Sequence, residues 1–119
     1  MTGNDILRTA MTLMGYTDAA GNVDGEAART AARHGLAVVR QIYAELAYAI
    51  GETPIELVTL SEPIPLPHRL LVEVMPYGVA TLLAISEGDN NNEAAFAILY
   101  NRKRGLMTLT DKRVDVLPR

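Results

Sequence analysis

The chain contains no cysteine. That absence removes a disulfide framework, a thiolate nucleophile and any zinc site built on cysteine ligands. Histidine is nearly as scarce, with only His34 and His68. His34 falls on the polar side of a helical pattern and His68 at a helix start, so each reads as a solvated side chain. Ser61 and Ser86 are the only serines. Neither stands in a Gly-x-Ser-x-Gly elbow or at a motif spacing from a histidine or acid. Phosphate loops and dinucleotide fingerprints are missing, and Gly21 and Gly25 alone make turns. Carboxylates occur singly rather than paired on one helical face, which leaves no acid/base dyad. Long apolar runs are lacking too. The most apolar stretch, residues 70–85, contains Glu73 and Pro76 and is shorter than the ~20 residues a membrane span needs. It reads as a buried core helix. The first residues show no basic stretch followed by an apolar run, so no signal peptide is expected. Together these absences predict a non-enzymatic protein with no cofactor, no metal and no membrane association, made in a reducing cytoplasm.

What is present is an ordinary globular composition with an uneven charge. The chain has 119 residues, 49% hydrophobic and 21% charged, which predicts one folded domain over residues 1–119. Residues 1–100 hold five basic and twelve acidic side chains, a net of −7. Residues 101–119 hold six basic and two acidic ones, a net of +4. An acidic body with a basic end is unlike a dedicated DNA-binding domain, which is basic over a whole face.

Apolar periodicity predicts a mostly α fold. Thr2 or Asn4 can cap a first short helix ending near residue 14, with Ile6, Leu7, Ala10, Met11 and Met14 at helical spacing. Gly15 ends it, and residues 18–25 carry turn chemistry. A long helix follows over residues 25–50, with Asp24 as its N-cap. Ala28, Ala31, Gly35, Val38, Val39, Ile42, Tyr43, Leu46, Ala49 and Ile50 share one arc, opposite Glu26, Arg29, Arg33, His34, Arg40, Gln41 and Glu45. Residues 53–67 contain Pro54, Pro63, Pro65 and Pro67 and cannot be helical. Their alternation of Ile55, Leu57 and Thr59 with Glu56, Val58 and Leu60 suits an extended Pro-rich connecting segment or edge strand. No second strand is visible to pair with it, and a lone strand often pairs with another chain. Pro67 suits the first position of a third helix over residues 67–87, which Pro76 would kink or split. Residues 89–92 form a loop whose last Asn can cap a fourth helix over residues 93–104. That helix is expected to bury Ala95, Phe96, Ile98 and Leu99 and to stop at Gly105. Residues 106–119 then make a C-terminal docking tail. The whole is a bundle of four to five helices with one long helix, a kinked core helix and one extended segment.

Two stretches carry weak chemistry. Asp89 to Glu93 resembles the first half of a calcium loop, but Ala94 replaces the glycine and Tyr100 the terminal glutamate, so a capped turn is the simpler reading. Arg102, Lys103 and Arg104 fit a helix end facing water, a contact with an acidic protein, or a thin nucleic-acid contact with Tyr100 as its one aromatic neighbour. Core packing with the hydroxyl at the edge is expected of both Tyr77 and Tyr100.

The second half of the chain resembles a known family. Ile64-Pro65-Leu66-Pro67, then Val74-Met75-Pro76-Tyr77-Gly78-Val79-Ala80 with Leu82-Leu83-Ala84 and Glu87-Gly88-Asp89, are followed by Tyr100-Asn101-Arg102-Lys103-Arg104 and Asp115-Val116-Leu117-Pro118. This order is similar to that of the head–tail connector (adaptor, or head-completion) proteins of tailed phages and prophages, over residues 37–119. The resemblance implies a small helical bundle that assembles beneath a portal as a ring of roughly a dozen copies. The ring lies in the virion neck after assembly in the bacterial host cytoplasm, and continues the DNA channel towards a tail or stopper protein. DNA passes through it without specific binding. The resemblance places subunit or portal contacts in the extended segment and the C-terminal end. On this chain those are residues 53–67, with Ile55, Leu57 and Thr59, and residues 106–119, with Lys112, Arg113, Val114, Val116 and Leu117. The basic run Arg102, Lys103 and Arg104 joins them as a candidate contact from its charge. The alternative from the residues alone is a small helical regulatory module that binds DNA or a protein partner.

Overall fold

Thr2 and Asp5 set where the first helix begins in the computed structural model. It describes residues 1–17 and 25–116, except for the side chains of 26–28, 31–32 and 108–116. The Asp5 N–H donates to Thr2 Oγ1 at 3.3 Å, and the Thr2 N–H donates to Asp5 Oδ2 at 2.9 Å. This reciprocal box satisfies two donors that a helix start leaves open. Helix α1 (Gly3–Leu13) buries Ile6, Leu7, Ala10 and Met11, and Met14 joins them in the core.

Helix α2 (Gly25–Ala49) is the long rod expected, roughly 37 Å at 1.5 Å per residue. Of the described part of its apolar arc, Gly35, Val38, Val39, Ile42, Tyr43 and Leu46 are buried. The expected cap Asp24 and the side chains of Glu26, Ala28 and Ala31 lie outside the described residues.

Residues 53–58 run extended beside α2 without joining a strand. A bridge lies inside the chain, between Thr2 and Pro63. It is flanked by bonds from the Asn4 N–H to the Leu60 carbonyl at 2.9 Å and from the Ile64 N–H to the Met1 carbonyl at 3.0 Å. The Pro-rich stretch therefore spends part of its backbone wrapping the start of α1. That use was invisible to strand patterning.

Pro76 is accommodated rather than allowed to break the third helix. A proline ring removes one donor and crowds the carbonyl four residues back. Here a π-helical segment (Leu70–Val74) precedes helix α3 (Met75–Glu87), and the Met75 N–H reaches the Leu70 carbonyl five residues back. The wider turn gives Pro76 room, and its side chain is fully buried. Leu70–Glu87 is long and apolar enough to cross a membrane by composition, yet 61% of it is buried inside the fold. Helix α3 packs against α1, α2 and α4 and carries the centre of the core with Met75, Val79, Ala80, Leu83 and Ala84.

Helix α4 (Asn90–Val116) departs from the sequence expectation at three points. Its start is capped by Asp89, not Asn92: Asp89 Oδ1 accepts from the Asn92 N–H at 3.2 Å, and the Asp89 carbonyl from the Glu93 N–H at 2.9 Å. Its inward stripe is Phe96, Leu99, Tyr100 and Met107, while Ala95 and Ile98 face out. The helix does not stop at Gly105 but runs to Val116, so most of the expected tail is helix. Glycine costs a helix only about 1 kcal/mol, and Met107 packs back on the core one turn later.

Candidate functional site

The two stretches most distinctive in sequence, Pro76-Tyr77-Gly78 and Tyr100 to Arg104, meet in space. The absence of a side chain at Gly78 lets the Tyr100 ring lie against α3; a Cβ there would stand 2.7 Å from Tyr100 Cε1. Tyr100 is buried and its hydroxyl donates to Glu45 Oε1 of α2 at 2.8 Å. The Arg104 guanidinium closes on the same carboxylate oxygen, its Nη2 donates to Asn101 Oδ1 at 3.1 Å, and it lies 5.2 Å from the Tyr100 ring centroid. Lys103 Nζ sits 4.8 Å above the Tyr77 ring, which itself lies 6.0 Å from Phe96. Burial, then the bond to the Glu45 carboxylate, holds the Tyr100 phenol well above its ordinary value. The joint locks α2, α3 and α4 together, and each cation–π contact in it is worth about 0.5–1 kcal/mol at partial exposure.

This joint divides the basic run. Lys103 and Arg104 turn inward onto their own molecule, while Arg102 is exposed. Lys103 and Arg104 are therefore engaged within the fold while each keeps part of its surface in solvent. The signal that could have found this is the spacing of four between Tyr100 and Arg104, which stacks the two on one helical face.

A second polar cluster ties the end of α1 to the start of α4. Asp89 Oδ2 accepts from the Tyr16 hydroxyl at 2.9 Å and from Asn92 Nδ2 at 2.7 Å, and Asn92 Nδ2 also reaches the Met14 carbonyl at 3.3 Å. Burial, then the Asp89 bond, raises the Tyr16 phenol to about 12. The Asn92 backbone N–H, then the Tyr16 hydroxyl, lowers the Asp89 carboxyl below its ordinary value. The loop that resembled half a calcium site is thus a capped interhelical turn. Among the described residues no group of three His, Cys, Asp or Glu could hold a metal.

Large apolar side chains are exposed at several places among the described residues, including Leu13, Val72, Ile85 and Leu106. Two further places, along residues 53–58 and on the outer side of α4, adjoin residues singled out in sequence. Along the strap formed by residues 53–58, the Ile55 N–H donates to the buried Tyr43 hydroxyl at 2.9 Å, and Arg40 Nε donates to the Leu57 carbonyl at 2.5 Å. Leu57 is buried in the core of its own chain. Ile55 is 61% exposed and Val58 59%, with Tyr48 of α2 66% exposed nearby in sequence. A groove of about 320 Å³ runs between Arg40, Tyr43 and Ala44 of α2 and Pro54, Ile55 and Glu56 of the strap. Thr59 is exposed beside it, its N–H capped by Glu62 Oε2 at 3.2 Å. The second place is the outer side of α4, where Ile98 is 61% exposed between exposed Ala95 and Arg102. The sequence assigned Ile98 to the core because alternative apolar faces of α4 score alike. The large rings of Phe96 and Tyr100 decide between them. The side chains of Lys112, Arg113, Val114 and Val116, and all of Leu117, lie outside the described residues.

No protein-family model, no curated protein and no solved structure matches the chain.

Proposed function

We propose that this chain is a non-enzymatic structural protein that works by assembling with copies of itself, in the manner of a phage head–tail connector ring. The observation that carries the reading is the exposure of apolar side chains on the strap and on the outer side of α4. Exposed apolar side chains grouped on particular elements mark places where other protein surfaces sit. The mainly acidic body supports the channel role, because a basic lumen would hold phosphates that must slide past. In this reading a portal lies on one side of the ring and a tail or stopper protein on the other. The regulatory, DNA-binding alternative draws little support, since two of the three residues in its basic run are engaged within the fold.

Sedimentation velocity over rising concentration, with electron microscopy of the pure protein, tests the proposal. Closed ring particles are the expected result. A strict monomer at every concentration, which also fails to co-sediment with a portal protein, would overturn it.

A further inference from the structure

The exposed apolar side chains of the strap and of α4 stand beside charges of opposite sign. On α4, Ala95, Ile98 and Arg102 recur at spacings of three and four, one outward stripe on the side away from Tyr100. The same helix continues to Val116 and carries Lys112 and Arg113 in its last turns. On the strap, exposed Ile55 and Val58 are accompanied by exposed Glu52 and Glu56. Neither glutamate forms an ion pair among the described residues.

We infer that the outer stripe of α4 in one copy packs on the acidic strap of the next copy, a head-to-tail contact between two different surfaces of the same chain. This rests on the assembly reading above and names its interface. The fold argues against closure of the contact within one chain. The bonds of Glu45 to Tyr100 and Arg104 fix the inner side of α4 against α2. Ala44, which lines the strap groove, lies about 100° round α2 from Glu45. The outer stripe therefore points away from the strap of its own chain.

Charge also argues against the simplest alternative, a twofold dimer through either surface. Pairing the α4 stripe with itself leaves each Arg102 without an acidic partner on the stripe, and pairing straps sets Glu52 and Glu56 against their own kind. Like charges facing across an interface disfavour it, whereas stripe on strap sets opposite signs together. A contact between two unlike surfaces repeats from copy to copy, and it closes into a ring when the rotation between copies allows. The partner is thus a second copy of this chain, with the apolar side chains supplying contact and the charges register.

Charge reversal tests the interface, read by sedimentation velocity on the full chain with circular dichroism as the check on folding. Arg102→Glu alone, and Glu52→Lys with Glu56→Lys in another chain, should each raise the concentration needed for assembly by at least about tenfold. Ile98→Gln should do the same without any change of charge. Mixed in equal amounts, the two charge variants should assemble as the wild type does, because alternating copies then present reversed stripe to reversed strap and native to native. Wild-type-like assembly of each variant alone would overturn the interface while leaving the ring reading standing, as would a mixture no better than its parts. A wild-type chain that stays monomeric throughout would remove the ring reading and this interface with it.

Discussion

Gly78 is the residue on which the central joint depends. A methyl group there would meet Tyr100 Cε1 at 2.7 Å, Tyr100 Cζ at 2.9 Å and Ile42 Cδ1 at 3.0 Å, and the bond to Glu45 restrains the ring from withdrawing. Gly78→Ala gains about 1 kcal/mol of helix propensity but incurs an overpacking cost of about 1–3 kcal/mol. The expected result is a net loss of stability, read as a lower denaturation midpoint, where a solvent-facing glycine would give a gain. Asp89 is the residue that sets part of the acid response. Its bonds from Asn92 and Tyr16 favour the charged form, so its folded pKa lies below the ordinary 3.8. A carboxylate depressed in the fold stabilises it above the unfolded value, and that contribution is lost as pH falls through the folded one. Asp89→Asn should therefore be less stable than wild type at neutral pH and lose less on acidification below 3.8. Denaturant titrations at neutral and acid pH check both halves. The box formed by Asp5 keeps a similar acid-sensitive contribution in either protein.

At the scale of the element, Gly105 separates two descriptions of α4. As a helix terminator it would need a left-handed backbone and would resist substitution. It lies instead within a continuous helix, and nothing stands within 4 Å of where its Cβ would be. Gly105→Ala should then stabilise the protein by up to about 1 kcal/mol and raise its helical signal; a loss of stability would mean that the helix stops there. The same helix marks what could be read from sequence. In α1 and α2 one apolar stripe dominates, so Ile6, Leu7, Ala10 and Met11, and Val38 to Leu46, were legible from spacing alone. The central place of α3 followed from its having almost no polar residues, although Ile85 near its end is 51% exposed. Helix α4 offers apolar residues on two faces, and a stop signal worth only about 1 kcal/mol is easily overridden by packing. The joint itself was not legible, because Glu45, Tyr77, Tyr100 and Arg104 come from three helices and meet only after folding. The strap was less legible: alternation put Ile55, Leu57 and Thr59 on one side, yet only Leu57 is buried, because the hydrogen bonds to Tyr43 and Arg40 rather than strand pairing set the course of the segment.

Over the whole molecule, the contrast between a −7 body and a +4 end becomes a property of two surfaces. Part of the positive charge is used internally, where Lys103 covers Tyr77 and Arg104 meets Glu45. Among the described residues of α4, Arg102 is exposed; Lys112 and Arg113 follow in the same helix. What remains outward on the body includes Glu52 and Glu56. If stripe and strap join successive copies, assembly combines a screened term and an unscreened one. Raising sodium chloride from about 0.01 M to 1 M shortens the screening length from about 30 Å to about 3 Å, which removes most of the attraction between solvent-exposed charges. Contact of Ile98 with Ile55 and Val58 is apolar and survives that change. Wild-type assembly should therefore weaken with salt without vanishing. Arg102→Glu should respond in the opposite direction, since screening relieves its repulsion from the strap. Ile98→Gln should fall apart at high salt, because it then keeps neither contribution. Sedimentation velocity of the three proteins across the salt series reads all three slopes. Assembly of wild type and Arg102→Glu that tracked salt identically would place the contact on some surface other than these two.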